Sequence, residues 1–130
     1  MNLIVCLDER LGMMFNGRRQ SSDRLQIENM RELIGDSELS VSPYTAKLLA
    51  DKGIKLNVLA EPHTADGYCF IEDTPLPDAS VVERLIIYRW GRRYPSDKRF
   101  TLDLGGFTLV ESCAFFGKSH ENIVREIYVR

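Results

Sequence analysis

Two adjacent arginines, Arg18 and Arg19, stand in a glycine-containing stretch, FNGRRQSS. A guanidinium pair placed in this way can grip a phosphate or carboxylate through bidentate hydrogen bonds. The same pair also fits a solvated loop face. Asp23 follows closely, an acid at the start of a helical pattern, where both capping and the helix dipole favour a carboxylate. His63 and His120 are the only histidines. A hydrolytic zinc site needs three or four converging ligands, and no HxH or HxxxH spacing exists, so no metal site is expected. Ser119 precedes His120, but neighbours in sequence do not make a nucleophile and base, because such groups meet in space from distant positions. The three cysteines, Cys6, Cys69 and Cys113, form no CxxC pair. Cys6 and Cys69 lie in the apolar runs LIVCL and YCFI and read as small buried hydrophobes, while Cys113 has no evident activating partner.

Residues 88 to 100 interleave cations with aromatics: Tyr88, Arg89, Trp90, Arg92, Arg93, Tyr94, Lys98, Arg99 and Phe100. That composition suits a single-strand nucleic-acid platform, where bases stack and cations track phosphates. It equally suits a strand whose aromatics face a core and whose arginines face water with period 2.

These residues must be positioned by elements that the chain's patterning outlines. Leu3 to Leu7 is a continuous apolar run, read as a central strand buried on both faces. Residues 9 to 21 read as a loop, punctuated by Gly12, Asn16-Gly17 and Ser21-Ser22. Ser22-Asp23 opens a helix with an apolar stripe of Leu25, Ile27, Met30, Leu33 and Ile34, stopped by Gly35. Glu38 to Ser42 is a short strand. Ser42-Pro43 then starts a second helix, with Ser as cap and Pro at the first position, running to Gly53. Further strands are expected at 54 to 59, 67 to 71, 81 to 90, 99 to 104, 107 to 111 and 123 to 129, with Gly105-Gly106 as a hairpin turn. Pro75 and Pro77 exclude regular structure between 74 and 78. Strands alternating with helices in the first half imply a parallel sheet, and the strand-only second half implies an antiparallel extension. The expected fold is therefore an α/β mixed sheet, mostly parallel at first, with antiparallel C-terminal strands and helices on its faces.

With 130 residues and 44% hydrophobic content, the chain is sized for one domain, residues 1 to 130, with a substantial core. The net charge of -2 offers no global attraction for nucleic acid or anionic membranes, which argues against a nucleic-acid partner. The N-terminal apolar run is too short for a signal-peptide core, and no stretch approaches the ~20 apolar residues a membrane helix needs. With the odd, unpaired cysteines, this favours a reducing, cytoplasmic setting.

The order of these pieces resembles dihydrofolate reductase across most of the chain. LIVCLDERLGM resembles that family's first strand, its polar turn and the Gly-Met that opens its mobile active-site loop. Asp23 stands where the resemblance places the family's helix-start carboxylate, which implies a hydrogen bond to a pterin-like ring. SVSPYTAKLL resembles the next strand and helix, where the family carries Gly-Arg-x-Thr. Thr45 fits that pattern, but Pro43 and Tyr44 replace Gly-Arg. VERLIIYRW, YPSDKRF and LDLGGFTLVES resemble a late strand, its connection and the following strand. SHENIVREIYVR resembles the final strand, with Glu126 and Tyr128 in its alternation.

One departure bears directly on function. After the strand matching 67 to 71, the family has a Gly-Gly turn and a helix, whose N–H groups meet the cofactor's pyrophosphate. Here Glu72-Asp73 and then TPLPDAS follow. At a separation of ~4 Å and an effective dielectric of ~20, each carboxylate–phosphate contact costs about 4 kcal/mol. The expectation is that no cofactor, NADPH included, is held, and that reductase activity is absent. The chain would then bind a partner or a small heterocycle in the remaining cleft, with Arg18, Arg19 and Thr45 as ligand-binding residues. Two alternatives stand beside this reading: an oxidoreductase with altered cofactor use and Asp23 as its catalytic group, and single-strand binding through residues 88 to 100. If the family's helix after Ile71 is missing, the sheet loses cover, and a homodimer near Tyr68, Phe70 and residues 74 to 82 is expected.

Overall fold

The computed structural model describes residues 1–130. Its centre is β1 (Asn2–Leu7), bonded in parallel to β6 (Tyr68–Phe70) on one side and β7 (Arg84–Arg89) on the other. Two-sided burial explains the uninterrupted apolar run: Leu3, Val5 and Leu7 enter one core cluster while Ile4 enters the other. Outward from β6 lie β4 (Glu38–Val41) and β5 (Lys55–Val58), both parallel. Outward from β7 lie β10 (Ile123–Val129) and β9 (Thr108–Phe115), both antiparallel. The seven strands run in the order β5-β4-β6-β1-β7-β10-β9.

The helices form where their caps dictate. Asp23 caps α1 (Arg24–Ile34) by accepting from the Leu25 and Gln26 amides, and Gly35, at φ 59°, closes the helix by donating to the Arg31 carbonyl. Ser42 caps α2 (Pro43–Leu49), with Pro43 at its first position. That helix stops at Ala50, short of the expected Gly53, which instead takes φ 75° in the turn beyond. Ile27, Met30 and Ile34 of α1 and Leu49 of α2 pack with Ile4, Phe70, Ile86 and Trp90 in the first cluster. The second cluster is closed by Met13, Met14, Val82 and Phe100 instead. No helix is long and apolar enough to cross a membrane.

Several expectations need correction. The stretch 9 to 21 is not simply a loop: β2 (Gly12–Phe15) and β3 (Arg18–Arg19) form a hairpin around Asn16-Gly17, whose φ values of 52° and 72° are those of a tight primed turn. The strand expected at 99 to 104 shrinks to β8 (Lys98–Arg99), which pairs with β2. Gly105-Gly106 belongs to a single 3-10 turn, not a hairpin. Residues 79–81 are likewise a 3-10 turn, so β7 begins only at Arg84. Around the expected dimer surface, Phe70 and Val82 are buried, Tyr68 is half-buried and Val81 is 48% exposed. The exposed strand is β9 at the other edge, open along nearly its whole length, with Val110 57% and the adjoining Phe116 80% exposed.

Residues 88 to 100 follow the period-2 alternative. Tyr88, Trp90 and Phe100 are in the core, and Arg89 pairs with Glu126. The faces of Tyr88, Trp90 and Phe100 are therefore covered, while Tyr94 is half-buried beside a pocket. Cys69 is buried and its thiol is pushed up to about 12 by desolvation, Cys6 is half-buried, and Cys113 is exposed on β9.

Candidate functional site

The carboxyl ends of β1, β6 and β7 gather a polar network that is largely buried. It begins with Asp8, just past β1 and 1% exposed. Its carboxylate accepts from the amides of Arg10 (2.8 Å), Gly12 (2.7 Å) and Tyr94 (3.0 Å) and from Gln20 Nε2 (3.1 Å). Burial alone would raise its pKa, but these donors outweigh it and hold Asp8 below the usual carboxylate range. Asp8 thus ties the β2–β3 hairpin to the segment after β7.

A second group centres on Glu72, which follows β6 and is 7% exposed. Arg19 grips it bidentately, Nε and Nη2 each 3.0 Å from a carboxylate oxygen. Thr45, fully buried on α2, donates its hydroxyl to Glu72 Oε1 at 2.7 Å, and Ser42 Oγ donates to Asp73 Oδ1 at 2.6 Å. The Arg19 guanidinium also lies 4.4 Å over the Tyr44 ring. Burial disfavours the Arg19 cation, yet the Glu72 carboxylate more than offsets this and raises its pKa. Lys98 is held by the carbonyls of Glu72 (2.7 Å) and Thr74, and burial lowers its pKa despite the nearby carboxylates.

The third group centres on Asp23, 3% exposed. Besides capping α1, it accepts from the Lys118 and Ser119 amides (both 2.9 Å), Ser119 Oγ (3.2 Å) and His120 Nδ1 (2.9 Å). Desolvation opposes its charge, but these bonds prevail and depress its pKa strongly. His120 is itself buried, its ring stacked on Trp90 at 4.6 Å. Its Nε2 faces Ser21 Oγ at 2.9 Å and the Tyr94 hydroxyl at 3.2 Å. Gly117 lies so close that an added Cβ would stand 2.5 Å from Asp23 Oδ2. That oxygen cannot retreat without breaking bonds. Gly117→Ala is expected to cost about 2 kcal/mol, read as a fall of several degrees in Tm.

Of the residues singled out in the sequence, Asp23, Arg19 and Thr45 are all at this end of the sheet, but in two separate groups. Arg19 and Thr45 converge on Glu72, whereas Asp23 meets His120. Arg18 is exposed on the hairpin. Ser21 and Gln20 were not singled out as site residues, Tyr94 only within the 88 to 100 segment, and His120 only as the neighbour of Ser119. A pocket of about 420 Å³ opens beside them, walled by Phe15, Arg18, Arg19, Gln20 and Tyr94. Arg19 and Gln20 also wall a slot of about 10 Å³ that reaches Ser21, Glu72 and Trp90. The largest concavity, about 690 Å³, lies at the opposite, amino ends of the strands around Asn2, Glu38 and Tyr68. Ligand crevices in such sheets lie outside the carboxyl ends, which favours the smaller pocket. No three His, Cys, Asp or Glu side chains converge as a metal site would need.

Structural comparison matches this chain to dihydrofolate reductase from Enterococcus faecalis complexed with NADP(H) and RAB-propyl, at TM-score 0.66 and 13% identity, over 99% of this chain and 95% of that one. The fold is dihydrofolate reductase-like. At such low identity the likeness concerns the fold alone. No protein-family model matches the sequence, and no curated protein matches it. Within the dihydrofolate reductase-like frame, the strands read from the sequence fall in the expected order, with β1 central and β9 and β10 as the antiparallel extension.

Proposed function

We propose that this chain is a binding protein on the dihydrofolate reductase-like fold, taking a small planar heterocycle and carrying no NADPH-dependent reduction. The observation behind this reading is the Glu72–Arg19 pair. A guanidinium presents two parallel N–H donors in one plane, the same edge that an amidine or 2-amino-heterocycle presents. Arg19 occupies the place such a ligand would take, with Glu72 as acceptor and the Tyr44 ring against its face. Because Arg19 separates the 420 Å³ pocket from Glu72, turning it outward would join the two spaces. Asp23 lies outside this reading, because its carboxylate is committed to the α1 cap and His120.

The case against NADPH rests on the same residues. A pyrophosphate is ordinarily met by N–H groups at a helix start. After β6 the chain offers Glu72 and Asp73, and the next helical turn is only the 3-10 turn at 79–81. The neighbouring cations are already matched, Arg19 by Glu72 and Lys98 by two carbonyls.

Thermal-shift titration tests the reading. A ligand at ~100 times its Kd stabilises by about 2.7 kcal/mol. A 2,4-diaminopyrimidine or a folate is expected to raise Tm by several degrees in the wild type and not in Glu72→Gln, while NADPH leaves Tm unchanged. A clear NADPH shift, or NADPH oxidation followed at 340 nm, would favour an oxidoreductase instead.

A further inference from the structure

Three side chains remote in sequence meet in an order that the heterocycle reading does not use. Asp23 Oδ2 accepts from His120 Nδ1 at 2.9 Å, and His120 Nε2 faces Ser21 Oγ at 2.9 Å. We propose that Ser21 is a nucleophile for the hydrolysis of small acyl esters, with His120 as its general base and Asp23 as the residue that positions the imidazole. This stands apart from the heterocycle reading, and either can fail without the other.

The arrangement has the connectivity that activates a serine: carboxylate to Nδ1, Nε2 to hydroxyl. The tautomer follows from the partners. An ionised carboxylate can only accept, so Nδ1 carries the hydrogen and the Nε2 lone pair faces the two hydroxyls. Asp23 stays ionised because backbone amides at two places in the chain already hold it. The ring cannot easily rotate, being clamped between that carboxylate and the Trp90 face. The side chains of His120 and Asp23 are 2% and 0% exposed, whereas Ser21 is half-buried and borders the slot. A base sealed from bulk water beside a hydroxyl that reaches a cavity is the distribution such chemistry requires.

The Tyr94 hydroxyl adds a further group. It also lies within reach of Nε2, at 3.2 Å, so it sits on the nucleophile's side of the ring. When Nε2 takes the serine proton it no longer accepts from Tyr94, whose O–H is then free to donate to the oxyanion forming beside it. The slot size limits the acyl group. At about 10 Å³ it has room for one water or a methyl, which suits acetyl. The alcohol portion would lie toward the 420 Å³ pocket, reached by a shift of the Arg19–Gln20 wall that the two spaces share, where the exposed Arg18 favours an anionic substituent.

The steps balance. Ser21 Oγ bonds to the acyl carbon as its proton passes to Nε2. The carbon–alkoxide bond breaks and the alkoxide leaves with that proton as the free alcohol. Water then repeats the sequence: its proton goes to Nε2, its oxygen bonds to the acyl carbon, and Oγ departs and recovers a proton. Ester and water become acid and alcohol, with no oxidant or metal required.

Hydrolysis of p-nitrophenyl acetate by the full chain provides the test. Wild-type kcat/KM is expected to fall on the order of 100-fold or more in Ser21→Ala. That variant removes one half-buried hydroxyl, and circular dichroism and Tm should show the fold retained. Asp23→Asn, assayed well below its lowered Tm, should reduce kcat with KM little changed, because it misorients the base without touching substrate. A fluorophosphonate should add its mass to the wild type, with peptide mapping placing the adduct on Ser21. Hydrolysis equal in wild type and folded Ser21→Ala would overturn the proposal, as would an adduct mapped to another residue.

Discussion

Asp23→Asn is expected to be the most destabilising single-atom-scale change in the chain, costing about 3 to 4 kcal/mol. Six donors from two distant segments converge on this carboxylate: the start of α1 and residues 118–120. An amide retains one acceptor and points an NH2 at groups that are themselves donors, so some buried N–H groups lose their partner outright. For a domain of this size the loss corresponds to a Tm fall of roughly 10 to 15 °C. The pH dependence carries its own signature. Asp23 has its folded pKa depressed far below the unfolded value of about 3.9. Its contribution is therefore fully present above about pH 4 and is lost as pH falls through that value toward the folded one. Asp8, also depressed, adds to the same slope. Scanning calorimetry between about pH 6 and pH 2 should show wild-type Tm falling steeply at the acid end. The variant should start lower and fall less, having one fewer carboxylate to protonate. Parallel curves for the two proteins would mean that Asp23 carries no such linkage.

Arg19→Met should cost about 2 to 3 kcal/mol, a figure discounted from that of a fully buried pair because the Arg19 side chain is 21% exposed. Methionine keeps the apolar stem but leaves Glu72, 8% exposed as a side chain, buried without its cation. Glu72→Gln is expected to cost less, since the released guanidinium can turn toward solvent and Thr45 still finds an acceptor. The double variant should recover much of the Arg19→Met loss, giving a coupling of about 1 kcal/mol or more in a urea-denaturation cycle. Purely additive single effects would sink the idea of a matched pair. Arg19→Met should also tighten binding of a 2-amino-heterocycle, because it deletes the internal competitor for Glu72.

The parts of this structure that could be read in the sequence are those whose cause is local or periodic. The run Leu3 to Leu7 gave away β1 because burial on both faces leaves no polar positions. Asp23, Gly35, Ser42 and Pro43 marked helix ends because capping is satisfied within a few residues. The hairpin at Asn16-Gly17 had its signal in the turn residues, but its strands are only four and two residues long and carry too little alternation to register. The segment 98 to 107 failed for another reason: Arg99 pairs with Gly12, far back in the chain, and nothing near Gly105-Gly106 shows that. The site followed the same division. Arg19 and Thr45 were singled out as ligand-binding residues, and what the structure shows is that they meet through Glu72. The Ser21–His120 contact spans 99 positions, and it exists because residues 118–120, ahead of β10, are bonded to the cap of α1. The Ser119-His120 dipeptide was the only trace of it in the sequence.

The stacking of Trp90 on His120 gives the molecule a built-in optical label. Trp90 is the only tryptophan, so its emission comes from one place, 4.6 Å from the imidazole and at the edge of the slot that Ser21 and Glu72 share. A ligand entering the slot would shift the emission by excluding water. Fluorescence from the unmodified chain can therefore follow ligand entry and unfolding at this one point, with no dye attached and no residue replaced.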